Sequence, residues 1–291
     1  MAKLSFSGHE TFSCKIYWLK KGYDFVKAEK KFTDDDAVVD LGVGKNMVTS
    51  IRFWLKAFGL LDDQDQITTF ADFIFSDDNG VDPYLEDPLT LWLLHYQLLK
   101  NEKATIYSLV FNTFRRERSE FNRTHLKRFI LRVCAENEQN FSPKTIDSDI
   151  KVFLSNYLSQ EGADIEEASS NVLQELGLLS SSKQLDEDDN LVDVFRFQLL
   201  AKRIPVQAIL FVILDSDLGT SISLGHLANN PNALGNVFLL TESTLVDILK
   251  TLPSTYSTFS ETAGNQVLQL KGDLDKYRIL RNYYTPEHAD N

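Results

Sequence analysis

The sequence predicts a mainly α-helical chain with short β-hairpins, laid out as tandem winged helix-turn-helix-like units. Three observations predict it. Apolar residues recur at helical spacing through most of the 291 residues. Turn residues separate pairs of helical stretches, as Gly42-Val43-Gly44 and Asn229 to Asn232 do. Short β-prone runs follow such pairs at residues 67–75 and around Gly264-Asn265, giving the order helix, helix, hairpin. The expected division is into residues 1–81, 82–190 and 191–291.

At the N-terminus, Trp18, Leu19, Phe25 and Val26 are spaced for an amphipathic helix, with Lys15, Lys20, Lys21 and Lys27 mostly off its apolar face. Before it stands Gly8-His9-Glu10-Thr11-Phe12. His9 and Glu10 suit an acid-base pair or a shared metal ion, although adjacent residues point apart. A structural role accounts for them equally well, with His9 bonding the turn and Gly8 supplying unusual backbone. Asp34 to Asp36 then open a helix that buries Ala37, Val38 and Leu41 before Gly42. A second helix runs from Lys45 to about Phe58. Its apolar face is Met47, Val48, Ile51, Trp54, Leu55 and Phe58; Lys45, Thr49, Arg52 and Lys56 line the other, flanked by Asn46 and Phe53. A DNA-reading helix needs cations for phosphates and short polar groups for base edges, and the stripe offers both. An ordinary solvated helix face carries the same residue types. The acidic turn Asp62 to Gln66 and the run Ile67 to Phe75 make a candidate wing. Gly44-Lys45 is not a phosphate loop, because Val39 and Asn46 stand where that motif needs glycine and a hydroxyl, so no nucleotide cofactor is expected.

In the second unit Pro88 starts an apolar helix, Leu89 to Leu99, in which His95 reads as a core or edge histidine. A helix from Thr105 to Phe114 leads into Arg115, Arg116 and Arg118. Arg123, Lys127, Arg128 and Arg132 follow on a helix that buries Leu126, Phe129, Ile130 and Val133. Arg115, Arg116, Arg123 and Arg128 are candidate phosphate contacts; a solvated basic face fits the same pattern. Ser142 and Pro143 cap and start another helix, with Ile146, Ile150, Phe153, Leu154 and Tyr157 on one side. Residues 161–190 read as a boundary. In the third unit, apolar helices are expected over Asp193 to Ile204 and Val206 to Leu214. Ile222 to Ala228 and Thr241 to Thr251 form a further helix pair, and Gly264-Asn265 closes a hairpin. Asp275 to Tyr284 mixes Lys276, Arg278 and Arg281 with tyrosines, which suits base stacking or a docked terminal helix.

The net charge of −12 argues against a general nucleic-acid coat. The charge is segregated, however. Residues 100–132 hold nine Lys and Arg against three acids, whereas residues 62–87 hold nine acids and no base. Basic surfaces can therefore exist on an acidic protein. Cys14 and Cys134 are too far apart in sequence for a metal motif and suit a reducing cytoplasm, the expected location. No signal peptide is recognisable, and the longest apolar run, Ala208 to Leu214, is too short to span a membrane.

Phe6 to Phe12, Lys15, Trp18 to Gly22, Leu41 to Val48 and Ile51 to Trp54 resemble a bacterial family encoded in phage-defence clusters, beside adenylyl-sulfate-reductase-like sulfur-transfer enzymes and DNA phosphorothioation genes. In particular they resemble the B components of Ssp phosphorothioation systems, regarded as DNA-nicking proteins. The resemblance implies a DNA-binding defence protein, with sulfur-transfer and ATPase components as partners, and it brings no catalytic motif to carry across. If the chain nicks DNA, His9, Glu10 and Lys15 are the candidate catalytic residues, with Glu10 and Asp24 holding Mg²⁺ or Mn²⁺. Two alternatives stand beside nicking: a non-catalytic specificity subunit or regulator, and a protein-interaction scaffold whose acidic segments dock a basic partner.

Overall fold

The computed structural model describes residues 3–158, 171–185, 189–199, 203–262 and 264–285. It shows the expected class, mainly α-helical with short β-hairpins. The chain divides into two compact units, Met1–Gln198 and Leu199–Asn291.

In the first unit, helix α1 (Ile16–Lys27) buries Trp18, Leu19, Tyr23 and Phe25. Gly22 lets it approach α3 (Lys45–Ala57), since a Cβ there would stand 2.5 Å from Leu55 Cδ1. Between them lies α2 (Ala37–Leu41), ended by Gly42 in the left-handed conformation. Val48, Ile51, Trp54 and Leu55 of α3 are buried, as their spacing requires. The wing expected after α3 shrinks to a single antiparallel bridge, Leu61 to Ile67. The Thr68 hydroxyl accepts the Ala71 N–H and starts α4 (Thr69–Phe75), whose Phe70, Phe73, Ile74 and Phe75 go into the core.

Helix α5 (Pro88–Lys100) is apolar all round and buried, with Asp87 capping it. Its His95 is a core histidine, Nδ1 lying 2.8 Å from the Tyr157 hydroxyl. Helix α6 (Thr105–Leu109) continues through a π-turn, Val110–Phe114, into the short α7 (Arg115–Glu117). Strand β1 (Glu120–Phe121), α8 (Arg123–Glu136), α9 (Pro143–Tyr157) and the hairpin β2 (Leu179–Leu185) and β3 (Leu191–Phe197) complete the unit. The sheet order is β1-β3-β2, all antiparallel. Residues from Asp193 to Phe197, expected as the start of a helix, are strand. Val192, Val194, Phe195 and Phe197 suit a pleated surface, and β1 and β2 bond β3 on both edges. This pairing holds residues 191–197 in the first unit.

The second unit has a related order, with one more helix between its first strand and its hairpin. Helix α10 (Val206–Asp215) is followed by β4 (Ser221–Ser223), α11 (Leu224–Asn229), α12 (Leu234–Val237), α13 (Glu242–Thr251) and the predicted hairpin, β5 (Ser257–Thr262) and β6 (Asn265–Leu270). Here too the first strand pairs with the last, in the order β4-β6-β5. Helix α14 (Lys276–Tyr284) docks by burying Ile279 and Leu280, and Lys276 pairs with Asp215 of α10. No helix among the described residues is long and apolar enough to cross a membrane.

Gly8 is needed for space rather than for backbone freedom. A Cβ there would stand 2.4 Å from two carbons of the Phe53 ring. The left-handed residues are its neighbours Ser7, Glu10 and Thr11. Gly8→Ala is expected to lose about 1–3 kcal/mol of stability by overpacking, measured as a lowered urea midpoint. Gly225→Ala, in a helix and with no neighbour closer than 4.0 Å, provides the control that loses no stability.

Candidate nucleic-acid interface

The stripe predicted on α3 is only partly open. Lys45, Asn46 and Thr49 are exposed. Arg52 instead grips Asp65 with two nitrogens, Nε to Oδ1 at 2.9 Å and Nη2 to Oδ2 at 2.6 Å. Lys56 joins the same carboxylate at 2.8 Å. The acidic turn thus folds back onto the helix, shaped by Asp65 in the left-handed region. Burial pulls the Asp65 carboxyl upward, but the hydrogen bonds from Arg52 and Lys56 outweigh it and hold the group below its ordinary value. Phe53 packs on Gly8, His9 and Trp54.

His9 and Glu10 face different surroundings. His9 is 2% exposed, with Nε2 lying 3.2 Å from Asp149 Oδ1 of α9 but without hydrogen-bond alignment. Its Nδ1 accepts the Thr11 N–H. The Ser7 N–H donates to both Asp149 oxygens, at 3.2 and 3.0 Å. Further along, the Cys14 N–H donates to Asn156, and the Trp54 indole donates to the Phe12 carbonyl. Segment 4–14 is therefore fastened across α9 and α3. Cys14 is fully enclosed, and burial pushes its thiol well up.

Glu10 is exposed, and Lys15 forms an antiparallel bridge with Asn171. Asp24 pairs with Lys20 at 2.6 Å. Among the described residues, no three His, Cys, Asp or Glu side chains gather to hold a metal ion. Glu10 and Asp24 thus do not fit a preformed centre, and no chemical step follows from them.

The cationic surface lies elsewhere. Two cavities, of about 210 and 580 Å³, share Arg118, His125 and Arg128 in their walls. His125 sits at the start of α8 in a reciprocal cap with Asn122: its N–H donates to Asn122 Oδ1 and its Nδ1 accepts the Asn122 N–H. The acids here have other partners, Glu117 with Arg132 and Glu120 with Arg196. Arg118 and Arg128 are exposed and pair with no acid among the described residues. His125 records the result, since burial and then these two arginines hold its imidazole below the ordinary value. The facing wall is the hairpin, through Gln184, Leu185, Val192 and Val194.

Of the arginines predicted by sequence, Arg128 lines the groove and Arg123 and Arg116 are exposed nearby in the chain. Arg115 is turned inward, its Nε bonding the Phe111 carbonyl, and burial lowers its guanidinium to about 10. Sequence reasoning missed His125 and did not select Arg118. The cap pattern Asn122-x-x-His125 was the available signal.

Residues 6–284 match the family described as "Protein of unknown function (DUF4007)". The chain belongs to this family. No curated protein matches it. Among solved structures it is similar to a magnesium ion-bound SspB at 28% identity and TM-score 0.80, covering 96% of this chain and 88% of that one. An SspB structure matches over the same shares at 28% identity and TM-score 0.79. The fold is that of the SspB structures, as the resemblance implied.

The Asp65 pairing has a pH signature. A carboxyl whose folded pKa is depressed stabilises the fold above its unfolded pKa, about 3.9, and loses that contribution as pH falls through the folded value. Wild type should therefore outlast Asp65→Asn in urea at pH 5 to 7, and the gap should close below about pH 4.

Proposed function

We propose that this protein is a DNA-binding component of a phosphorothioation-type anti-phage defence system. The observation that carries the reading is the groove where Arg118 and Arg128, neither paired with an acid among the described residues, line one cavity with His125. Guanidinium groups suit phosphate oxygens, and localising them lets an acidic chain grip DNA without a basic surface overall. The part of the first unit that carries the groove, from α7 to β3, runs helix, strand, helix, helix, hairpin, with its first strand bonded to its last. We take it as a winged helix whose α9 face is covered by segment 4–14, so that α8 and the hairpin meet the backbone instead. In the second unit, α13 exposes Glu242, Ser243 and Asp247. That face suits protein partners, such as sulfur-transfer and ATPase components, better than phosphate.

Metal-dependent nicking is the second reading, favoured by the magnesium-bound SspB relative. It draws on Glu10 and Lys15 at the surface. His9 joins only if segment 4–14 lifts from Asp149.

Replacing Arg118 and Arg128 together by glutamine is expected to flatten the plot of log affinity against log salt by about two phosphates, roughly 0.9 each on duplex DNA. An unchanged slope in a folded variant contradicts the groove assignment. For the second reading, supercoiled plasmid with Mg²⁺ or Mn²⁺ should give open circle that is lost in Glu10→Gln. Retardation without open circle leaves a binding component.

A further inference from the structure

We infer that the groove between α8 and the β2–β3 hairpin takes an unpaired nucleotide of DNA, with its phosphate between Arg118 and Arg128 and its base against the hairpin wall. The inference rests on the DNA-binding reading and deepens it.

The two walls differ in chemistry. One carries Arg118, His125 and Arg128, with the Thr124 hydroxyl beside them; the other carries Leu185, Val192 and Val194 with Gln184, and Phe121, Asn122 and the Arg196-paired Glu120 complete the lining. A wall of cations alone would suit the outer surface of any duplex. Stacked, paired bases keep their faces inside the helix, so a duplex running past this groove would satisfy the arginines and leave the apolar wall in water. An unpaired nucleotide offers both surfaces at once, an anionic phosphate and a flat, sequence-tolerant π-face. The larger cavity, about 580 Å³, lies within the range of about 300–1,000 Å³ that small-molecule sites occupy.

Beyond the cavity the two strands end in exposed leucines, joined in sequence by the acidic run Asp186 to Asp189. Leu185 and Leu191 are cross-strand partners at the hairpin's end, and they are 65% and 64% exposed. Exposed leucines on a DNA-facing hairpin have a use in wedging between bases or covering one that has left the stack. On the hairpin side the polar residue of the lining is Gln184, beside Val192, while Asn122 and Thr124 line the α8 side. The Gln184 amide can pair with a base edge, adenine best of all, and one such contact fixes at most one base. The site is thus built for an unpaired nucleotide, as found in a tail, gap or nick, rather than for a sequence.

The test uses the full-length protein and two labelled probes, a blunt duplex and the same duplex with a five-nucleotide single-stranded tail, followed by fluorescence anisotropy. Wild type is expected to bind the tailed probe about tenfold more tightly, the scale of one stacked base. Leu185→Ser combined with Val192→Thr should bring the ratio of tailed to blunt affinity to about one. Leu185→Ser alone, at an exposed position, gives a partial loss that folding defects do not explain. Equal binding of the two probes by wild type overturns the unpaired-nucleotide site and leaves DNA binding standing. A preference that survives in the double variant also overturns it. Failure to bind either probe overturns the DNA-binding reading together with this one.

Discussion

The first unit depends on one buried carboxylate. Asp149 of α9 is 2% exposed, and a charge so placed is costly unless polar groups surround it. Here the Ser7 N–H meets both of its oxygens and His9 stands beside it. Satisfying Asp149 therefore requires the N-terminal segment to lie across α9. The segment accepts Ser7, Glu10 and Thr11 in the left-handed region to do so, a backbone cost of order 1–3 kcal/mol each. Asn156 two turns further on holds Cys14, and Phe12 receives the Trp54 indole, so the same stretch ties α9 to α3. Gly8 is small because Phe53 occupies the space beside it.

This constraint decides which surfaces remain for ligands. The helix that follows the turn in a helix-turn-helix usually reads the major groove. In this chain α9 has Asp149, Val152, Phe153, Asn156 and Tyr157 buried. What stays open is the flank where α8 begins and the hairpin returns. The same economy governs the charges. Arg52 and Lys56 face an acidic turn that neutralises them, whereas Glu117 and Glu120 are drawn off by Arg132 and Arg196, leaving Arg118 and Arg128 uncompensated. The charge that matters is thus local and is not visible in a net value of −12.

Much of the fold was legible because its signals are local. The α3 periodicity, the Ser142-Pro143 start of α9 and the turn at Gly264-Asn265 each depend on residues a few positions apart. What sequence misjudged depends on distant partners. The apolar spacing of residues 193–197 predicts helix, and what makes them strand is the pairing with β1, over 70 residues earlier, and with β2. The α3 stripe was read correctly as polar, but nothing in its spacing shows that Asp65 would claim Arg52 and Lys56. His9 was recognised as a residue with either a catalytic or a structural use, and its partner Asp149 lies 140 positions away. Of the candidate interface, Arg128 was named from sequence, while Arg118 and His125 required the groove itself.

The most direct test is hydrogen–deuterium exchange of the full-length protein with and without a tailed DNA duplex, read peptide by peptide. The groove account predicts slowed exchange at residues 118–128 and 182–194 on DNA addition, with residues 45–56 and the body of α9 unchanged. Protection centred on residues 45–56, with the groove peptides unaffected, would contradict it and return the DNA contact to α3.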